Sequence, residues 1–292
     1  FTPTVMATQS GNGELWGENL DMFEQPINGA TDIIFALDWS CSMNDDIAAV
    51  EANFATFVTT MAGMDADYHL AVVVQDGGCI LGNDTFIDPD TANAQSVFDT
   101  MVGNSSDQGV DTERLFSLLE DALSSSNRNP GGCNEGFYRE DAKLNLVAIS
   151  DEPEQSNQDY PYFVALFQSL KSDPDDLVIH AVAADNPANG GGNSCGADYG
   201  SGNQAGRYEN ASIQTGGLYL SICATDWGSH LQALAENSTA DLSSFELTDI
   251  PVAETIKVEV NGVSMSAGWS YNPVDNAVEF EPDYIPEGGS TV

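Results

Sequence analysis

Residues 32–42 read DIIFALDWSCS, and this stretch decides the fold. Five consecutive apolar residues, Ile33 to Leu37, stand between two aspartates, with Gly29 upstream and Ser40 downstream. A strand with one wet face alternates apolar and polar residues; an unbroken apolar run implies a strand covered on both faces. Beyond it, Ile47, Val50, Phe54, Phe57, Val58 and Met61 recur at spacings of three and four, the stripe of a helix packing onto that strand. Ser42 and Asp45 are placed to cap this helix, with acids in its first turn.

The same grammar repeats downstream. Apolar runs at 68–74 (YHLAVVV), 144–149 (LNLVAI), 177–183 (LVIHAVA) and 217–221 (GLYLS) read as further strands. Between and after them come helical stripes: Leu115, Leu118, Leu119 and Ala122 in a helix starting near Thr112; Phe163, Phe167 and Leu170; and Trp227, Leu231 and Leu234. This alternation predicts an α/β fold, a doubly wound and mostly parallel sheet flanked by helices, over residues 30–240. In such sheets a binding site lies beyond the carboxyl ends of the strands.

From about residue 241 the period changes to two. Ile256, Val258 and Val260 alternate with Lys257 and Glu259, Asn261-Gly262 is a hairpin-turn signal, and Trp269/Tyr271 and 277–280 (AVEF) follow. Residues 241–292 therefore read as a small antiparallel β unit, ending in what looks like a beginning strand. Residues 1–29 form an N-terminal extension with the potential to pair with that unit.

Among 292 residues, 46 Asp and Glu face 7 Lys and Arg, a formal net charge of -39. Phosphate recognition needs clustered basic residues, so nucleic acid and anionic membrane surfaces are excluded as partners. The acids are spread along the chain, as on a solvated acidic surface. No apolar run approaches the roughly 18 residues of a membrane helix, so direct membrane insertion is not expected. The five cysteines are Cys41, Cys79, Cys133, Cys195 and Cys223, with no CxxC pair that would suggest a zinc ribbon. Three of them lie in Gly- and Asn-rich loops, which fits disulfides and an extracellular or cell-surface location. Connectivity stays open at this level; the preferred pairing is Cys195 with Cys223 and Cys79 with Cys133, leaving Cys41 free and buried.

The chemistry gathers at strand ends. Asp38, Ser40 and Ser42 form D-x-S-x-S in the turn leaving the first strand. Such a turn can aim one carboxylate and two hydroxyls at one point above the sheet, a donor set suited to a hard divalent cation, Mg²⁺ or Ca²⁺. Neutral hydroxyl ligands leave the cation residual positive charge with which to accept a carboxylate from a partner. The competing reading is a strand-end aspartate with two helix-capping serines. A second strand, 144–149, also ends in acid at Asp151, which favours a shared cation.

Taken together, DWSCSM (38–43), YHLAVVV (68–74), DTERLF (111–116) and LVAISDEPEQS (146–156) resemble a von Willebrand factor A domain. The segments 136–156 and 215–223 are similar to secreted or surface-anchored bacterial members, and the resemblance spans about residues 30–240. It implies a metal-ion-dependent adhesion site in which D-x-S-x-S maps onto Asp38, Ser40 and Ser42, and the third-loop aspartate onto Asp151. The second-loop threonine of that family aligns with Val110, a departure. A shifted register would bring Thr112 or Asp111 to the site; Thr112 is the expected contributor.

Other candidates are weaker. His69, His180 and His230 are isolated, which argues against a zinc site. Asn83, Asp84, Asp88 and Asp90 form an acidic loop without the spacing of a calcium hand, and a solvated loop is expected there. Sequons occur at Asn83, Asn104, Asn210 and Asn237. The resulting expectation is a non-enzymatic, metal-dependent binding or adhesion module for an acidic group on a protein or glycan. One alternative is a structural subunit of a surface appendage that self-assembles through its β unit, with the metal only stabilising it. Another is a metal-assisted hydrolase with Glu152 or Glu154 as general base.

Overall fold

The computed structural model describes residues 6–9, 15–23, 25, 30–64, 66–74, 77–81, 86–103, 113–189, 195–239, 243–281, 284–287 and 290–292. In chain order the strands are β1 (Met6–Gln9), β2 (Leu15–Glu18), β3 (Thr31–Leu37), β4 (Tyr68–Val73), β5 (Lys143–Ile149), β6 (Leu177–Ala183), β7 (Tyr219–Ser221), β8 (Ser244–Glu246), β9 (Val258–Val260), β10 (Val263–Met265), β11 (Trp269–Asn272) and β12 (Ala277–Phe280). The α-helices are α1 (Asn44–Gly63), α2 (Ala94–Gly103), α3 (Leu115–Ala122), α4 (Ser125–Arg128), α5 (Tyr160–Gln168), α6 (Arg207–Gln214) and α7 (Trp227–Thr239).

Two compact units divide the chain, one of Ala30–Thr239 and one combining Phe1–Gly29 with Ala240–Val292. In the larger unit five strands run parallel in the order β4-β3-β5-β6-β7. The unbroken apolar runs have their cause here. Ile33, Phe35 and Leu37 of β3 point into a core shared with α1, α2 and α7, whereas Ile34 and Ala36 point into one shared with α3, α5 and α6. Every residue of β3 and β6 is buried. The sheet is thus doubly wound, and the chain returns repeatedly to the same carboxyl edge.

Helices α2 and α6 are absent from the sequence-based expectations, although α2 carries a stripe at Ala94, Val97, Phe98 and Met101. The short α2 buries Phe98, Met101 and Val102 beside α1, with Phe98 stacked on Phe54 at 3.6 Å between ring centroids. The mostly polar α6 is held by tertiary contacts: Arg207 donates to the carbonyls of Asn203 and Ser156, and Tyr208 packs against Phe116. The helix expected near Thr112 begins at Leu115.

At the amino edge of the sheet the fully buried Asp32 is neutralised by Arg139. Arg139 Nε donates to Asp32 Oδ1 at 2.8 Å, its main-chain N–H to Oδ2 at 2.5 Å, and its Nη1 to Asp67 at 2.8 Å. His180, buried in β6, lies 3.1 Å from Asn145 Oδ1 through Nε2, and its Nδ1 accepts the Leu218 N–H. Burial pushes its imidazole down to about 3, so it is a neutral core histidine.

In the smaller unit β11, β12 and β8 form an antiparallel sheet, and β9 and β10 a hairpin. The hairpin turns at Asn261-Gly262, both with positive φ (51° and 76°), the backbone that a tight two-residue loop requires. Phe245, Val258, Val278 and Phe280 make its core, and Phe23 packs on Phe245. Phe23 and Val292 exchange main-chain hydrogen bonds of 2.8 and 2.9 Å, and Gln25 N–H donates to Ser290 O.

Candidate metal centre

The site is built where β3 and its parallel neighbour β5 end side by side. The Asp38 N–H donates to Ile149 O at 2.9 Å, extending the ladder by one residue and fixing where the carboxylate starts. Asp38 is 2% exposed. Its Oδ1 accepts the Ser40 N–H at 2.8 Å, the local turn that aspartate favours. Its Oδ2 accepts the Ser150 hydroxyl at 2.7 Å. Both oxygens are therefore oriented before any ligand arrives.

A short 3-10 turn, Cys41–Met43, leads into α1. The expected helix cap is not made: neither the turn nor α1 carries a side-chain capping bond. Ser42 instead turns toward the neighbouring strand end, with its Oγ 2.9 Å from Ser40 Oγ and donating to Asp151 Oδ1 at 3.3 Å. Four of the expected ligands, Asp38, Ser40, Ser42 and Asp151, are thus brought into one hydrogen-bonded cluster from two loops. The fifth, Thr112, lies outside the described residues, as do Val110 and Asp111.

The Asp151 main chain is held from both sides. Its N–H donates to Met43 Sδ at 3.2 Å and its carbonyl accepts the Asp198 N–H at 2.7 Å. Burial, aided by Asp38, raises the Asp151 carboxyl. Asp46 is raised to about 6 by burial and by Asp151, Asp45 and Asp38, and Glu113 to about 7 by burial, Asp38 and Glu152. Burial is the main cause for these three carboxyls, and the neighbouring acids add to it.

These residues fit a hard divalent cation. Two carboxylates and two hydroxyls are oxygen donors of the kind Mg²⁺ and Ca²⁺ prefer, leaving positions for water or a partner oxygen. Among the described residues no three His, Cys, Asp or Glu side chains converge, so the candidate donor set includes the two serine hydroxyls. The buried Tyr208 hydroxyl lies beside Ser150, near Asp38 and Glu154, and burial holds it well above the ordinary tyrosine range.

Glu154 is engaged by main-chain donors. It is fully buried, and its oxygens accept the main-chain N–H groups of Phe116 (2.9 Å) and Ser156 (2.6 Å), so it caps the start of α3 from a distant loop. The cavity beside it, lined by Glu152, Pro153, Glu154, Tyr199, Arg207 and Tyr208, has about 10 Å³ of free volume, room for a single water.

Both expected disulfides are present, Cys79–Cys133 and Cys195–Cys223. Cys41 is free as expected but exposed rather than buried. In the 3-10 turn the inward position falls to Met43, which is fully buried, and Cys41 is turned outward. Of the acidic loop, Asn83 and Asp84 lie outside the described residues, as does Asn104. Asp88 is engaged by Thr91, whose hydroxyl donates to its Oδ1 at 2.6 Å.

Ser150, Met43, Asp46, Glu113 and Asp198 were not singled out from the sequence as parts of this site. Ser150 had a signal, a hydroxyl directly before a strand-end acid. Met43 and Asp198 had none, because each acts across the tertiary structure.

No protein-family model matches the chain, and no curated protein matches it. Solved structures similar to it include proximal thread matrix protein 1 from the mussel byssus, at 8% identity over 78% of this chain and 51% of that one, with a TM-score of 0.46. A von Willebrand factor type A protein from Catenulispora acidiphila is similar at 12% identity over 95% of this chain and 57% of the other, TM-score 0.44. The conserved hypothetical protein BatB from Bacteroides thetaiotaomicron is similar at 13% identity over 73% and 99%, TM-score 0.40. The chain spans about half the length of the mussel protein. Likenesses this distant carry no weight for the site; the α/β fold class stands on the sheet order and on helices covering both faces.

Proposed function

We propose that this chain is an extracytoplasmic binding module that holds one divalent cation, Mg²⁺ or Ca²⁺, among Asp38, Ser40, Ser42 and Asp151, with Thr112 as a further contributor. Through that cation it takes an acidic group of a protein or glycan partner. The observation that carries this reading is the convergence of the four side chains from two adjacent strand ends, with Ser42 bridging Ser40 and Asp151. When bound, the cation supplies a positive charge with open coordination positions at a surface of net charge -39. Asp38, clamped through both oxygens, and the two serines orient it; the serines add no charge, so attraction for an incoming carboxylate survives.

Two disulfides support an oxidising compartment for the chain. Binding is preferred over the strand-donating subunit because the Phe23 and Val292 main-chain groups pair with each other within the chain. It is preferred over hydrolysis because one of the two candidate bases, Glu154, is committed to two main-chain N–H groups.

The test is calorimetric titration of metal-stripped protein with Mg²⁺, Ca²⁺ and Mn²⁺, beside an Asp38→Ala/Ser40→Ala variant. One saturable site that vanishes in the variant is expected. Unchanged binding in a folded variant would place the cations elsewhere on the acidic surface and overturn the reading.

A further inference from the structure

The two disulfides stand in different relations to the metal centre. Cys79–Cys133 secures the region around α3 and α4, where the buried Asn134 side chain bonds Ile80 N–H and the carbonyls of Gly78 and Ala122. Cys195–Cys223 ties the long loop after β6 to the end of β7. Residues 195–206 of that loop read CGADYGSGNQAG, a stretch with little apolar material to bury. Ala197 is buried in the core and Tyr199 packs against it, while the disulfide fastens one end of the stretch and α6 follows the other.

This loop touches the metal loop at two points. The Asp198 N–H, three residues after Cys195, donates to Asp151 O at 2.7 Å. Gly200, at φ +86°, lies against Pro153 so closely that a Cβ there would come within 2.7 Å of the proline Cβ. Asp198 Oδ1 accepts the Gly200 N–H at 2.9 Å and joins the two contacts into one turn. Between them, Tyr199 donates its hydroxyl to Glu209 of α6, which also accepts Asn186 Nδ2.

We propose that the Cys195–Cys223 disulfide is a positioning element of the metal centre: it holds the Asp198–Gly200 turn against Asp151 and Pro153, and so sets where the Asp151 carboxylate stands. The proposal rests on the reading of Asp151 as a metal ligand. A ligand carboxylate must be held within about 0.5 Å of its working place by the shell behind it. Asp151 has two main-chain anchors for this, and the anchor at its carbonyl comes from a loop fastened by the disulfide. Cutting that tether leaves the Met43 anchor in place and frees the other.

The experiment compares Cys195→Ser/Cys223→Ser with Cys79→Ser/Cys133→Ser in the whole chain, at a temperature where both are folded. Mn²⁺ affinity is read by calorimetry, and exchange of the Asp198 amide is followed in the metal-stripped protein. Loss of Cys195–Cys223 is expected to weaken Mn²⁺ binding about 10- to 100-fold, the usual effect of removing support behind a ligand, and to speed exchange at Asp198. Loss of Cys79–Cys133 is expected to change neither. Gly200→Val keeps both bridges, pushes the turn off Pro153, and is expected to weaken Mn²⁺ binding as well. Wild-type affinity together with wild-type protection of Asp198 in Cys195→Ser/Cys223→Ser would overturn the proposal. Equal weakening by the two disulfide deletions would overturn it too, since the effect would then be one of general stability. If Asp38→Ala leaves Mn²⁺ binding intact, the metal-site reading fails separately, and the exchange of Asp198 still decides whether the disulfide holds the turn.

Discussion

Replacing Ser150 by Ala tests whether Asp38 is oriented as the hydrogen bonds imply. Ser150 is fully buried, and its Oγ donates to Asp38 Oδ2 at 2.7 Å while accepting the Glu152 N–H at 3.0 Å. Deletion removes one of the two donors that orient a carboxylate only 2% exposed, and leaves the Glu152 N–H without its acceptor. A hydrogen bond to a charged group contributes about 1.5–3 kcal/mol, and an orphaned N–H costs about 1–3 kcal/mol when buried and less at half-buried Glu152. The two losses share one loop that can relax, so a net cost of about 3 kcal/mol is expected. In a domain of roughly 200 residues this lowers the melting temperature by about 6–12 °C. Cation affinity should fall about 10- to 100-fold, because a mis-set Asp38 no longer meets the ion. Differential scanning calorimetry and metal titration on the same sample read both quantities. A variant that melts early but binds Mg²⁺ or Ca²⁺ as the wild type does would show that Asp38 is not a ligand. One that neither melts early nor binds less would refute the two-oxygen clamp itself.

Arg139→Met removes the guanidinium that donates to the buried Asp32 carboxylate at 2.8 Å through Nε, and is expected to cost about 3–5 kcal/mol in urea denaturation; a loss below about 1 kcal/mol would show that the pair contributes no more than a surface one. Phe98→Ala opens a cavity where Phe98 stacks on Phe54, and should cost about 3–5 kcal/mol while leaving cation affinity unchanged, as read by calorimetry. In metal-stripped protein the Asp46 and Glu113 carboxyls, at about 6 and about 7, stand above their ordinary values of 3.8 and 4.5. Their protonation therefore stabilises the folded state fully below about pH 4, and that contribution is lost as pH rises through 6 to 7. Melting temperature should accordingly fall from pH 5 to pH 8 without metal, less steeply in Asp46→Asn/Glu113→Gln; equal slopes in the two proteins would refute the assignment.

Much of the fold was legible because burial on both faces of a sheet leaves a mark on consecutive residues. The run from Ile33 to Leu37 is apolar at every position since alternate side chains enter two different cores, and 177–183 is a strand with the same bounds for the same reason. A helix that buries a clear stripe, such as α1, is equally plain. By contrast α6 carries Arg207, Glu209 and Asn210 in its eight residues and is held by contacts to Asn203, Ser156 and Phe116, none of which is visible in its own pattern.

For the site, the sequence alone determined the kinds of donor and their order: Asp38, Ser40 and Ser42 leaving one strand, Asp151 leaving another. It could do so because a parallel sheet brings successive strand ends to one edge, whichever residues lie between. Only the tertiary structure decided that Ser42 reaches Asp151 instead of capping α1, that Ser150 orients Asp38, that Met43 takes the buried place and turns Cys41 outward, and that Asp198 backs Asp151. Those outcomes depend on single hydrogen bonds between residues 47 to 112 positions apart. Local propensity carries no information about a partner that only the packed chain brings within 3 Å or so.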